Sequence, residues 1–150
     1  MNVLKAIFKK DDEKHQYEIG FPKIFEFGTE NQINYIVMDL YGPNLGQLLK
    51  LCTGKFTMKT TLLIGLQIID RLEILHSHNY LYIDFKPENF VIGLNKDSPY
   101  IIMIDYGRCI CYRGKGNQHV HYKNMSYHYD PIFSSINSHM GLHPSRRDDL

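Results

Sequence analysis

The feature that most limits how this chain can fold is a short polar loop at residues 84–89, Asp-Phe-Lys-Pro-Glu-Asn, set between strand-like segments. Pro87 fixes its own φ angle and biases the preceding residue, Lys86, towards an extended backbone. We therefore predict one tight loop that runs from Asp84 to Asn89.

Two short apolar runs follow this loop, Phe90–Ile92 and Tyr100–Ile104, and a turn-rich connection at residues 93–99 separates them. We predict that they pair as a hairpin, which returns the chain beside the loop. Asp105 would then leave the end of the second strand, and Gly107 would let the backbone turn sharply. After Gly107 we expect irregular structure, because no clear periodicity remains.

The N-terminal third contains another predicted hairpin. Ile24–Phe27 and Ile33–Met38 are rich in β-branched and aromatic residues, which favour strands. The residues between them, Gly28–Asn31, are typical of a turn. We therefore expect the hairpin to reverse at these four residues.

Two helices are predicted in the middle of the chain. Asn44 can cap a short helix over Leu45–Leu51, with Gly54 as the residue that stops it, and Thr57 can cap a longer helix from about Met58 to His78. Apolar residues recur in the longer helix at intervals of three and four, which predicts one buried face. These residues are Leu62, Leu66, Ile69, Leu72 and Leu75.

Composition excludes several classes of protein. Hydrophobic residues make up 43% of the 150 residues and charged residues 22%, which argues against wholesale disorder. The formal net charge of +1 gives no case for binding to nucleic acid or to a membrane surface. No apolar run reaches the ~18 residues of a transmembrane helix, and the first residues lack the apolar segment of a secretory signal. We expect an intracellular protein of the cytoplasm, the nucleus or both.

The cysteines agree with a reducing compartment. Three residues, Cys52, Cys109 and Cys111, cannot all pair within one chain, so a disulfide framework is a poor interpretation. Cys109-x-Cys111 with His119-x-His121 offers zinc-ligand chemistry, but the spacing is not that of a common zinc finger. Unliganded side chains are the favoured interpretation.

The polar loop carries the groups that phosphoryl transfer requires. One carboxylate, Asp84, can accept the proton of an attacking hydroxyl, while Asp105 and the amide of Asn89 supply the oxygen ligands that Mg²⁺ prefers. Lys86 provides a cation near the transferring phosphate. These residues are our candidates for catalysis (Asp84 and Lys86) and for metal binding (Asn89 and Asp105).

This pattern resembles the catalytic loop and metal-binding segment of eukaryotic protein kinases. The joint occurrence of Asp84-x-Lys86-Pro87-x-Asn89 and, downstream, Asp-Tyr-Gly at residues 105–107 is a strong signal, although either half alone would be weak. A lysine two residues after the catalytic aspartate indicates the serine/threonine branch.

Further segments resemble the casein kinase I family, and the resemblance extends from about Val3 to Leu150. They are the hinge-like Met38–Leu45, the lead into the catalytic loop at Ile74–Tyr80, the strand Tyr100–Ile104, the Ser-Ile-Asn segment Ser135–Gly141 and the closing Ser145–Leu150.

The resemblance implies an α+β, protein-kinase-like fold that is only partly present. About residues 1–41 would form the last strands of the small lobe and the hinge, and about residues 42–150 would form the first part of the helical large lobe. ATP and Mg²⁺ are the implied cofactors. The implied partners are protein substrates whose Ser or Thr lies in an acidic or pre-phosphorylated context.

The resemblance also implies a nucleotide site. Met38 would be the gatekeeper behind the adenine, and the backbone of Asp39 and Tyr41 would form the hinge hydrogen bonds. Val91 and Ile104 would pack against the ring. The alternative for the three apolar side chains is an ordinary place in the core.

The sequence departs from the family in several places. It contains no Gly-x-Gly-x-x-Gly loop and no Val-Ala-Ile-Lys strand, and Ile83 stands where the catalytic loop usually has Arg. Asp130 replaces a threonine that should touch Asp84, and it could raise the pKa of Asp84 by repulsion or point to solvent. Asp149 is expected to lie inside the large lobe and brace the catalytic loop.

Three hypotheses follow from the sequence. The first is a serine/threonine kinase of casein kinase I type, of which this chain is a fragment. The second is a catalytically dead module that keeps the binding surface of the fold. The third is a small-molecule phosphotransferase, against which Lys86 and the casein-kinase-like flanks argue.

Overall fold

The chain forms an α+β domain of short antiparallel strand pairs and a few helices. This computed structural model describes residues 3, 19–95, 99–114, 118–119 and 130–150. The charged run at residues 9–14 and the segment 127–129 lie outside the described residues, as does His121.

The first hairpin joins β1 (Ile24–Glu30) to β2 (Ile33–Met38). Its turn is not at Gly28–Asn31, as the sequence indicated, because Gly28 lies inside β1 and pairs with Tyr35. The reversal occurs at Asn31 and Gln32, whose φ angles are +49° and +66°. Two successive positive φ angles match the right-handed twist of the paired strands, so a two-residue turn suffices.

Both predicted helices are present, and each begins at its predicted cap. In α1 (Leu45–Leu51) the Asn44 side chain accepts from the Gln47 N–H at 2.8 Å, while the Gln47 side chain accepts from the Asn44 N–H. In α2 (Met58–Ser77) the Thr57 hydroxyl accepts from the N–H of residue 60 at 3.2 Å. These bonds satisfy amide groups that a helix start leaves without intrahelical partners.

The apolar stripe predicted on α2 is not one buried face. Leu72 and Leu75 are buried, but Leu62, Leu66 and Ile69 are all more than half exposed. Each step of three residues turns about 60° short of a full rotation, so a series of such steps winds around the helix. The prediction was wrong because it joined two faces into one.

The second predicted hairpin is present. In it β4 (Phe90–Ile92) pairs with β5 (Ile101–Met103), and Val91 lies opposite Ile102. The second strand is shorter at both ends than the predicted run.

A third strand pair was not predicted. Residues Tyr80–Leu81 form β3 and Ile110–Cys111 form β6, and the two pair antiparallel. Strands of two residues are too short for a periodic signal. Further along, α3 (Ile136–His139) is regular structure that we did not expect, and the sequence Arg146–Leu150, which resembles the start of a helix, contains a single 3₁₀ turn at Arg146–Asp148.

The core lies between the C-terminal half of α2 and the β4–β5 hairpin. Its fully buried side chains include Leu72, Leu75, Tyr82, Phe90 and Met103. Among the described residues, no helix is long and apolar enough to cross a membrane. The loop at 84–89 follows directly from this core, which therefore fixes its position.

We expect the exposed apolar patch on α2, formed by Leu62, Leu66 and Ile69, to promote self-association. Leu66→Lys should shift the chain towards monomer without loss of stability, because Leu66 is 62% exposed and Lys is a comparable helix former. Size-exclusion chromatography with light scattering, over a range of concentrations, measures this.

The matched control is Leu51→Lys, which changes a leucine that is 76% exposed at the end of α1. It should leave the association unchanged. A wild-type chain that is monomeric at every concentration would contradict the prediction.

Candidate functional site

The candidate site begins at Asp149, which is 2% exposed and anchors the backbone that enters the loop. Its Oδ2 accepts from the Tyr82 N–H at 2.8 Å, and its Oδ1 accepts from the Ile83 N–H at 2.8 Å. The His76 Nε2 lies 2.8 Å from Oδ2. The expectation that Asp149 is buried and braces this loop is confirmed.

The anchored backbone has an unusual conformation. Ile83 has a φ angle of +70°, in a region that β-branched residues rarely enter. Such a conformation costs roughly 1–3 kcal/mol and persists only where surrounding contacts hold it. The hydrogen bond from the Ile83 N–H to Asp149 is one such contact, and the next residue in the chain is Asp84.

The loop itself has the predicted shape. Lys86 is extended, with φ −157° and ψ 153°, and Pro87 opens a single 3₁₀ turn over Pro87–Asn89. The Asn89 N–H donates to the Lys86 carbonyl at 3.0 Å. The turn places Asn89 back beside Asp84, as the next contacts show.

Three predicted site residues come together at one carboxylate. Asp84 is 4% exposed, and its Oδ2 lies 2.8 Å from the Lys86 Nζ. The Asn89 Nδ2 donates to the same Oδ2 at 2.9 Å and to the Asp84 main-chain carbonyl at 2.8 Å. One carboxylate oxygen of Asp84 is therefore held by a cation and an amide.

The other carboxylate oxygen of Asp84 has a different environment. The Arg108 Nη1 lies 3.2 Å from Oδ1, but no donor among the described residues is aligned for a hydrogen bond to that buried oxygen. The contact with Arg108 is thus a charge contact. Sequence reasoning missed Arg108, although its place directly after Asp-Tyr-Gly was a usable signal.

The charges around Asp84 decide its pKa. Burial raises that pKa, but the hydrogen bonds from Lys86 and Asn89 and the charges of Lys86 and Arg108 outweigh burial and lower it below the usual value. Repulsion from Asp130, one of the two alternatives for that residue, is therefore not what sets this pKa. The Asp130 Oδ1 instead accepts from backbone N–H groups at residues 132 and 133, within its own turn.

Asp105 leaves β5 beside the loop, as predicted. Its φ angle is +60°, and its Oδ1 accepts from the Gly107 N–H at 3.1 Å. The preceding residue, Ile104, donates its N–H to the Asn89 carbonyl at 2.9 Å. The Tyr82 hydroxyl also donates to the Ile104 carbonyl. These bonds bring the two predicted metal ligands to the same end of the hairpin, with Asn89 directly before β4 and Asp105 shortly after β5.

The two predicted metal ligands fit Mg²⁺ chemically. The Asn89 amide nitrogen is used by Asp84, so its carbonyl oxygen is the amide atom that remains for a cation. Asp105 is exposed, and its Oδ1 is the oxygen that binds Gly107, which leaves Oδ2 for a ligand. Carboxylate and amide oxygens are the ligand types that Mg²⁺ takes.

The predicted nucleotide residues are only partly gathered. Backbone bonds from the Gly42 N–H to the Ile92 carbonyl (2.8 Å) and from the Ile92 N–H to the Pro43 carbonyl (3.1 Å) place the segment after Tyr41 against β4, which contains Val91. Val91 is buried at 7% exposure and Ile104 is half-buried.

The remaining three, Met38, Asp39 and Tyr41, lie at the base of the first hairpin. Met38 ends β2 and is 38% exposed, and the Asp39 N–H donates to the Lys23 carbonyl at 3.3 Å. The Tyr41 hydroxyl accepts from the Lys23 N–H at 2.9 Å. The hairpin is thus tied to the segment 39–41 through Lys23.

The cysteines are all free thiols. Burial raises the pKa of the Cys109 thiol, which makes it a poor nucleophile and metal ligand at neutral pH. In the part of the chain that the structure describes, no three His, Cys, Asp or Glu side chains are grouped to hold a metal ion, and His121 of the zinc alternative lies outside that part.

A comparison with known protein families finds none whose model matches this chain.

We expect Asp149→Ala to destabilise the chain by about 2–5 kcal/mol, because it leaves the buried N–H of Tyr82 and the half-buried N–H of Ile83 without their acceptor. Urea unfolding measures the loss. The control is Glu73→Ala on α2, an exposed position whose substitution should change stability by less than about 0.5 kcal/mol. Equal effects of the two variants would contradict the anchoring role.

The pKa of Asp84 should rise when its cations are removed, and more for Lys86→Met than for Arg108→Leu, because Lys86 also donates a hydrogen bond. A lowered folded-state pKa adds stability above the unfolded value of about 3.9, and this stability is lost as pH falls through the folded value. Either substitution therefore moves the loss to higher pH.

Titration of the Asp84 carboxyl carbon by NMR measures these shifts. The control is Lys55→Met, which removes an exposed charge at the turn after α1 and should leave the titration unchanged. A fall in the pKa of Asp84 in the Lys86 variant would overturn this account of its electrostatics.

Proposed function

We propose that the chain belongs to a serine/threonine protein kinase of casein kinase I type, which transfers the γ-phosphate of ATP to hydroxyls of protein substrates inside the cell. The observation that carries the proposal is the state of Asp84: one oxygen is fixed by Lys86 and Asn89, and the other is buried beside Arg108 with no aligned donor among the described residues. The same proposal divides the chain at about residue 41 into a part of the small lobe with the hinge and a part of the large lobe.

Asp84 has the environment of a hydroxyl-orienting base. A buried acceptor without a hydrogen bond costs free energy, and the hydroxyl of a Ser or Thr substrate would satisfy it. Lys86 holds the opposite oxygen, so the carboxylate cannot rotate without breaking an ion pair of 2.8 Å. Because its pKa is lowered, Asp84 is a weak base. Its contribution would therefore be to orient the substrate hydroxyl.

Asn89 and Asp105 would hold Mg²⁺ through one amide oxygen and one carboxylate oxygen. The bound metal would neutralise charge on the phosphates of ATP. Asn89 has a second task, since its amide nitrogen fixes the Asp84 carboxylate. Lys86 would place its positive charge beside the phosphate that is transferred. The adenine would lie against Val91 and Ile104, near Met38 and the backbone of Asp39 and Tyr41.

A second candidate is a catalytically inactive binding module, and the position of Arg108 favours it. The Arg108 guanidinium lies 3.2 Å from the oxygen that a substrate hydroxyl would approach. Ile83 replaces the usual arginine of the loop, and the sequence has no Gly-x-Gly-x-x-Gly segment to cover phosphates. In this alternative, Asp84 neutralises cations and performs no chemistry.

Nucleotide binding is tested first. Asp105→Asn should weaken Mg²⁺-dependent ATP binding at least about tenfold, because an amide supplies a neutral oxygen where a carboxylate supplies charge. Isothermal titration calorimetry with and without Mg²⁺ measures this. The matched control is Asp39→Asn, because the proposal uses only the backbone of Asp39. Loss of affinity in both variants, or in neither, would sink the metal assignment.

Phosphate transfer to casein then separates the two candidates. If the wild-type chain transfers phosphate, Asp84→Asn should reduce the rate about 10²–10⁴-fold while ATP affinity changes little. A chain that binds ATP and Mg²⁺ but transfers no phosphate, even as Arg108→Leu, is the inactive module. Activity that survives Asp84→Asn would refute the base assignment.

A further inference from the structure

We propose that a second site, built around the buried ring of Tyr112, binds a phosphate group. A cavity of about 410 Å³ opens there, and its walls carry basic and neutral side chains but no carboxylate among the residues that the structure describes. The lining residues are Tyr112, Arg113, His119, Ser145, Arg146 and Arg147. We call this cavity the arginine pocket.

Tyr112 gives the arginine pocket a fixed floor. It is 3% exposed, its hydroxyl donates to the His76 carbonyl at 3.1 Å, and its N–H donates to the Asn79 carbonyl at 2.9 Å. The ring therefore has little freedom to move. Side chains that pack on it are held in place at low entropic cost.

Two arginines lie against this ring. The guanidinium carbon of Arg113 is 5.4 Å from the centroid of the Tyr112 ring, and that of Arg146 is 5.8 Å away. A guanidinium on an aromatic face is attracted by the ring and still presents its N–H donors at its edge. Both cations thus converge on one cavity through a shared ring.

The backbone that carries Arg146 is also fixed. It belongs to the 3₁₀ turn at Arg146–Asp148, where the Asp148 Oδ2 accepts from the Ser145 N–H at 2.7 Å. The Asp148 Oδ1 accepts from the Ser135 hydroxyl at 2.7 Å. Both oxygens of the Asp148 carboxylate therefore already accept hydrogen bonds. Its charge contact, at 3.6 Å, is with Arg147.

The charge balance of the arginine pocket favours an anion. No carboxylate of the described residues lies within ion-pair distance of Arg146, although Arg146 is exposed beside two further arginines. Like charges gathered at one cavity repel each other, and an anion between them removes that cost. The chain as a whole has a net charge of +1, so this concentration is local.

Several guanidinium groups around one cavity suit a phosphate, which has more oxygens to offer them than a carboxylate has. A guanidinium offers paired N–H donors that match two oxygens of one phosphate, and several guanidinium groups can share its remaining oxygens. A second cavity of about 590 Å³ also has Tyr112, Arg113 and Arg146 in its wall, but it contains the carboxylate of Glu73 as well, so the lining without a carboxylate is confined to the arginine pocket. Inorganic phosphate and a phosphoserine side chain share this chemistry.

Calorimetry of the full chain tests the proposal with two probes, sodium phosphate and a short phosphoserine peptide, in buffer without Mg²⁺. Arg146→Gln should weaken binding of the recognised probe at least about tenfold, because it removes a charged donor pair. Arg146→Lys keeps the charge but loses the paired donors, and an intermediate loss is expected. Circular dichroism verifies that each variant is folded.

The matched control is Lys59→Gln, which removes one positive charge from an exposed position on α2 and should alter the affinity less than twofold. Binding of the peptide without binding of free phosphate would identify a phosphorylated protein as the source, and binding of both supports the site equally. The proposal is overturned if neither probe binds, if the unphosphorylated peptide binds as well, or if Arg146→Gln binds like Lys59→Gln.

Discussion

The three hydrogen bonds of Asp149 are the interaction on which the rest of the site depends. A single buried carboxylate joins α2, through His76, to the two residues that lead into the loop. Without this carboxylate, the backbone of Ile83 would lose a hydrogen bond that helps to hold its positive φ angle. The position of Asp84 is therefore set by a residue 65 positions away in the chain rather than by the local sequence alone.

The electrostatics of Asp84 follow from that anchoring. Because the loop is held, Lys86 and Asn89 meet the same carboxylate oxygen, and the cations outweigh the cost of burial. The two candidate functions then differ in the position that the Arg108 guanidinium takes relative to Asp84. A guanidinium that stays on the second oxygen excludes a hydroxyl, whereas one that moves away exposes a buried acceptor with no other aligned donor among the described residues.

The sequence predicted those features whose causes are local. Caps at Asn44 and Thr57 and the extended Lys86 before Pro87 depend on a few neighbouring residues, and all are present. The turn at Asn31 was misplaced because β1 extends through Gly28, and the stripe on α2 was mispredicted because it joined two helical faces into one. Arg108 was missed because its contact with Asp84 spans 24 positions, although its place after Asp-Tyr-Gly was a usable signal.

The arginine pocket and the loop share one framework, because Tyr112 bonds to the His76 carbonyl and the His76 ring bonds to Asp149. Contiguity of this kind is not coupling, which requires an element with two arrangements that both sites bias differently. Every bond in this chain of contacts joins buried or half-buried groups. Coupling between Arg146 and Asp84 would therefore require a second arrangement of these bonds that a bound phosphate favours.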